Sequence, residues 1–222
     1  MKYEWKKEEK NLYLPKQKPE LITVPKQKFF IVSGKGNPNN NEEFAAKIGV
    51  LYSLAYAVRM MPKNGFTPDG YIEYTVYPLE GVWDLTEEGI KSDTLNKDEL
   101  VYTLMIRQPE FVNEDVVKRA FEIANKKKPN SYLKDVVFES MEDGLCVQMM
   151  HVGPFDDEPK SFELMKNFIA ENNLERTTMV HREIYLSDFN KVAPEKLKTV
   201  LRYKVKTRWN FIKEQKYAIA NC

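Results

Sequence analysis

The sequence predicts an α+β fold built from two strand–helix–strand–strand modules, and three observations lead there. Two stretches, 42–61 and 157–172, repeat apolar residues at helical spacing. Each follows an apolar run that reads as a strand and precedes further β-branched and aromatic runs. The same order of elements therefore occurs twice, which marks an internal duplication, although the halves share little identity. With 222 residues, 42% of them hydrophobic, the chain can bury a sizeable core as one large domain or two small fused units.

Residues 1–27 are rich in Lys, Glu and Pro and are expected to form an extended arm, partly ordered by Trp5, Tyr13 and Leu14. The domain proper is expected over 28–206, with module one at about 28–110, module two at about 134–206 and a tail at 207–222. Phe29–Val32 is the first strand, ended by Ser33-Gly34-Lys35-Gly36. Asn37–Asn41 supplies a turn and a cap. Glu42 and Glu43 open a helix whose buried stripe is Phe44, Ile48, Leu51, Ala55 and Val58, and Pro62 and Gly65 end it. Tyr71–Tyr77 reads as a strand, Pro78–Gly81 as a break, and Glu99–Arg107 as the next strand.

Asn113 caps a helix that runs to Lys128 with Val116, Val117, Ala120, Phe121 and Ala124 on one face. Val136–Glu139 and Leu145–Val152 read as strands joined by a hairpin at Asp143-Gly144. The second module continues with a helix over 157–172 carrying Phe162, Met165, Phe168 and Ile169. Strands at Met179–Ser187 and Thr199–Val205 follow, and then a short tail helix with Trp209, Phe211 and Ile212.

Charge excludes one function class. The 34 basic and 33 acidic residues balance to +1, with no basic face for nucleic acid. Lys126-Lys127-Lys128 sits where a helix ends and the dipole favours cations. Cys146 and Cys222 form no disulfide framework, so a reducing compartment is the simpler reading, and the first residues lack an apolar signal-peptide core. A cytoplasmic location, with no membrane partner, is expected. His151 and His181 have no ligand-spaced partner, so no metal and no cofactor are expected.

The residues most able to carry chemistry lie in Met179–Asp188. On one face of that strand stand Val180, Arg182, Ile184 and Leu186, which look like packing against helices. On the other stand Met179, His181, Glu183 and Tyr185. An acid between aromatics is either part of a solvated sheet face or a pocket wall with Glu183 as charged anchor. Burial there would raise the carboxyl pKa and suit acid–base work. Tyr102 reads equally as a core tyrosine, and Trp83 as a plug at a sheet end.

Four stretches carry a resemblance: Pro78–Trp83, Thr103–Phe111, His151–Pro159, and His181–Asp188 with Ala193–Arg202. Over roughly residues 20–206 the chain resembles the stand-alone GyrI-like small-molecule-binding proteins. The resemblance implies tandem modules related by a pseudo-two-fold axis, an antiparallel concave sheet with helices packed on it, and a central ligand cleft. Related domains are effector-binding parts of multidrug-responsive regulators, where a strand glutamate among aromatic rings meets cationic drugs; Glu183 matches it. Some stand-alone members hydrolyse the strained cyclopropane of DNA-alkylating natural products with a Glu and a Tyr. Glu183 matches the first and Tyr102 the second, and these are the expected catalytic residues. Trp83 matches an aromatic wall, although Asp84 stands where many members carry a second aromatic. The expected ligand-binding set is Glu183, Tyr185, Trp83, Tyr102, His151, Phe155 and Met179.

Two functions follow as expectations. One is a binding module for planar, largely apolar or cationic organic molecules. The other is a hydrolase with Glu183 as general base. A third, a gyrase-directed interaction module, would need an acidic run that the sequence lacks.

Overall fold

Antiparallel pairing of the apolar runs organises the chain, and the structure, a computed structural model, describes residues 2–208. In order, the elements are α1 (Trp5–Glu8), α2 (Lys10–Tyr13), β1 (Glu20–Val24), β2 (Gln27–Lys35), α3 (Glu42–Met60), β3 (Leu79–Leu85), α4 (Glu87–Lys91), β4 (Leu100–Gln108), α5 (Glu114–Lys127), β5 (Val137–Met141), β6 (Gly144–Val152), α6 (Glu158–Glu171), β7 (Leu174–Arg176), β8 (His181–Tyr185) and β9 (Lys198–Thr207). They form two compact units. Among the described residues the first holds 2–10 and 26–142, the second 11–25 and 143–208.

In the first unit the strand order is β3-β4-β2-β5. The register pairs Phe30 with Ile106, Val32 with Leu104, Gly34 with Tyr102, and Trp83 with Tyr102. Side chains directly opposite share a face, so these residues line one side of the sheet. There α3 meets them through Phe44, Leu51, Leu54 and Val58, all buried, and α5 adds Phe121 against Phe30. Asn41 and Asn113 cap these helices by accepting the amides of Phe44 and Val116. Gly65, in the left-handed region at φ 84°, closes the turn after α3. By length and composition α3 with that turn could cross a membrane, but its apolar side is core.

In the second unit the order is β8-β9-β6-β1, with β7 pairing the end of β9. The two orders match, with β3, β4, β2 and the edge strand β5 standing where β8, β9, β6 and the edge strand β1 stand. A helix follows the first strand in each, so the internal duplication extends to topology. α6 packs Met165, Ile169 and Phe162 on Val147, Met149, Leu201, Tyr203 and Val205.

Several expectations are corrected. Tyr71–Tyr77 is not a strand: only Tyr74 makes a bridge, to Tyr3, and its aromatics pack individually. The third strand begins at Leu79 instead, inside the segment expected to be a break. Asp143-Gly144 makes no hairpin, because β5 pairs β2 and β6 pairs β9 and β1. The chain passes from one unit to the other there. Residues 1–27 hold α1, α2 and β1 rather than a plain extended arm. Trp5, Leu12 and Tyr13 are buried while Leu14 is exposed. The tail helix with Trp209, Phe211 and Ile212 lies outside the described residues.

Candidate functional site

β8 alternates His181, Glu183 and Tyr185 on one face with Arg182 and Ile184 on the other, and both faces are covered. Glu183 stands opposite Leu201, on the face that α6 covers. The helix therefore packs on the Glu183 side, not on the Arg182 side as the sequence suggested. On the opposite face Arg202, paired with Arg182, donates to the carbonyl of Leu12 and to Gln148. That side is closed by the N-terminal segment. Alternation in a strand buried on both faces says nothing about which side bears a helix.

Glu183 is only 7% exposed, yet its carboxylate has three partners. Tyr185 donates its hydroxyl to Oε2 at 2.8 Å. His181 Nε2 meets Oε1 at 2.8 Å. The third partner, Glu158 in the first turn of α6, is 6% exposed, and its carboxyl lies within hydrogen-bond reach of Glu183. Burial first, and then the Glu183 charge and hydrogen bond, push the Glu158 pKa up to about 9. Glu158 Oε1 is buried and finds no partner among the described residues.

Around this acid pair stand rings. Phe162 lies edge-on to His181 at 4.9 Å and stacks on Tyr203 at 5.4 Å. The Arg176 guanidinium sits 3.6 Å over Tyr203. Phe155 meets Tyr185 edge-on at 6.0 Å and is 39% exposed. His181 and Tyr185 are half-buried. They and Phe155 therefore join a buried acid to solvent.

The other expected residues fall as follows. His151 is buried with both ring nitrogens engaged: Nε2 donates to the Pro154 carbonyl, which can only accept, and Nδ1 accepts from Ser161. It fixes the turn that leads into α6. Met179 is 80% exposed and precedes β8. Trp83 and Tyr102 are buried in the first unit with Phe44. The ring distances are 5.7 Å for Trp83–Tyr102, 4.9 Å for Phe44–Tyr102 and 6.0 Å for Phe44–Trp83. This triad mirrors that of the second unit: a phenylalanine from the helix (Phe44 of α3, Phe162 of α6), a ring from β3 or β8 (Trp83, His181) and a tyrosine from β4 or β9 (Tyr102, Tyr203). The Tyr102 hydroxyl lies over Gly34 with no hydrogen-bond partner among the described residues. Burial, then the Glu43 charge, pushes its pKa up to about 12. Among the described residues no cluster of three or more His, Cys, Asp or Glu could hold a metal.

Glu158 was missed by the sequence reading, which named it in none of its candidate sets. Its signal was present. The buried positions of α6 are 158, 161, 165 and 169, so the helical stripe runs back to Glu158.

The model of the GyrI-like small molecule binding domain matches residues 17–206. No curated protein matches the chain. Two crystal structures of hydrolases from Listeria innocua are 40% and 42% identical to it, with TM-scores of 0.83 and 0.85. They cover 92% and 93% of this chain and 100% of their own. The EcmrR C-terminal domain is 12% identical at TM-score 0.50, covering 86% of this chain and 98% of that one, a likeness of fold alone.

Proposed function

We propose, from the premise that this chain belongs to the GyrI-like small-molecule-binding domain family, that it binds planar, largely apolar organic cations with Glu183 as charged anchor. The observation that carries this reading is the Glu183 carboxylate, 7% exposed and bonded to His181 and Tyr185, with Phe162 and Tyr203 packed beyond His181. A buried negative charge beside aromatic faces attracts a desolvated cation both directly and through the ring quadrupoles.

A hydrolase is the second reading, favoured by the two Listeria innocua hydrolases that align over nearly the whole chain. Glu183 would take a proton from water as the water oxygen bonds a cyclopropane carbon, while the ring C–C bond breaks and the electron pair it leaves on the substrate takes up that proton. Tyr185, whose hydroxyl already touches that carboxylate, would hold the water. Tyr102 is the hydroxyl that the family resemblance favours for this role.

The test pairs wild type with Glu183→Gln against a planar cationic dye and a cyclopropane-bearing alkylating compound. Binding is read by fluorescence and turnover by the mass gain of one water. As a binder, the protein loses dye affinity at least tenfold in Glu183→Gln and hydrates nothing. As a hydrolase, wild type hydrates the compound and Glu183→Gln does not. Equal behaviour of the two proteins in both assays removes Glu183 from the site. Trp83→Ala and Tyr102→Phe, titrated alongside, show whether the first unit's rings carry part of the affinity.

A further inference from the structure

We propose that Glu158 is the second acid of this site and that Glu158 and Glu183 hold a single proton between them at neutral pH. The geometry leads there directly. Two carboxyl groups within hydrogen-bond reach, 6% and 7% exposed, cannot both ionise at neutral pH without placing two like charges together away from water. Nor are both protonated. Glu183 Oε2 accepts from the Tyr185 hydroxyl and Oε1 meets His181 Nε2, so an ionised Glu183 is satisfied by the hydroxyl and, in the tautomer with the hydrogen on Nε2, by the imidazole as well. The proton therefore sits on Glu158 and is donated to Glu183. Glu183 is then held from two elements, by Tyr185 and His181 of β8 and by Glu158 of α6.

Among the other described titratable and charged groups around the pair, the one that touches a carboxylate, besides Tyr185, is His181. Tyr203 on β9 lies within electrostatic reach of Glu158 and carries Arg176 stacked on its ring, held by the carbonyls of Met179 and Val180. Asp156, in the turn before α6, adds a further negative charge. His151 is engaged by Ser161 and Pro154. His181 faces the pair from β8 and binds Glu183. Glu158 is the first residue of α6, whose dipole favours a negative charge there. Burial and the neighbouring carboxylate outweigh it, since a helix end contributes less than removal of a charge from water.

The consequence for ligands rests on the reading of Glu183 as anchor; the proton itself does not. With one proton between the two acids, the pair carries one negative charge and matches a monocation. A cation seated beside Glu183 also draws the remaining proton off Glu158. Binding then releases a proton, and affinity rises with pH by up to tenfold per unit. Glu158 acts through Glu183 and is a positioning and proton-holding residue.

The experiment uses the full chain labelled with ¹³C at glutamate carboxyls, titrated by NMR from pH 5 to 10 without ligand. Glu158→Gln and Glu183→Gln are run beside it, with folding checked by circular dichroism. Wild type should show one glutamate carboxyl step above pH 7. Glu158→Gln should lack it, and Glu183→Gln should show it moved down. Absence of the step in wild type, its survival in Glu158→Gln, or an unmoved midpoint in Glu183→Gln overturns the shared proton. Calorimetry with ethidium in two buffers of different ionisation enthalpy then reads the coupling. Wild type should release up to one proton and tighten between pH 7 and 9. Glu158→Gln, which has no proton to give up, should bind with no proton release and a flat pH profile. Equal pH slopes in the two proteins overturn the coupling. Failure of wild type to bind ethidium overturns the anchor reading alone, and the carboxyl titration still decides the shared proton.

Discussion

At position 34 a glycine is required by its neighbour rather than by its own backbone. A Cβ there would lie 2.5 Å from Cζ and Oη of Tyr102. Tyr102 cannot swing aside, because it is fully buried between Phe44 and Trp83. Gly34→Ala is therefore an overpacking change and should cost about 1–3 kcal/mol, read as a lower urea midpoint at unchanged slope. A variant as stable as wild type would mean that the ring has room the structure does not give it. Lys47 illustrates the same crowding. Its ammonium is buried, donates to the Ser33 carbonyl and to Glu43, and lies over the rings of Tyr102 and Tyr132. A charge so buried persists only with partners of this kind.

Between elements, one buried acid ties three strands of the second unit together. Asp143, just ahead of β6, takes Arg182 of β8 at 3.2 Å and Lys204 of β9 at 2.9 Å. Burial alone would raise its pKa, but Arg182 and Lys204 hold the carboxyl below its ordinary value. Removing one member of a buried ion pair leaves the other unpaired in the interior. Asp143→Ala should therefore cost about 3–5 kcal/mol, measured by denaturant unfolding. A loss under 1 kcal/mol would place the network in solvent. The helices follow simpler rules. α3 and α5 begin at asparagine caps with acids in the first turn, and α5 ends in lysines.

For the molecule as a whole, these two acids act on stability with opposite signs. Asp143 binds its proton more weakly when folded, so its contribution is present at neutral pH and is lost in acid. Glu158 binds its proton more tightly when folded, at about 9 against an ordinary 4.5. Below about 4.5 it is protonated in both states and has no effect. From there to about 9 the unfolded chain gives up the proton first, so stability falls as pH rises, by at most about 1.4 kcal/mol per unit. Wild type should therefore melt at a higher temperature at pH 5.5 than at pH 8.5, and Glu158→Gln should narrow that difference. An identical difference in both proteins would remove Glu158 as its cause.

The sequence by itself determined the elements and their repetition. Periodicity marked α3, α5 and α6 because each buries a stripe on one side only. Apolar runs marked β2, β4, β6 and β9 because these strands are buried. The alternation of β8 also brought Glu183 forward, with His181 and Tyr185 on its face. Only the tertiary structure decided which partners those residues meet. Tyr71–Tyr77 has strand composition but no ladder, since β propensity reflects a fit to neighbours. The Asp-Gly step resembles a hairpin but passes between units, because pairing is settled by distant strands. Glu158 and Glu183 are 25 residues apart in sequence. Their meeting depends on how α6 lies across β8 and β9. That packing is decided by the shapes of Phe162, Met165 and Tyr203, which no local pattern encodes.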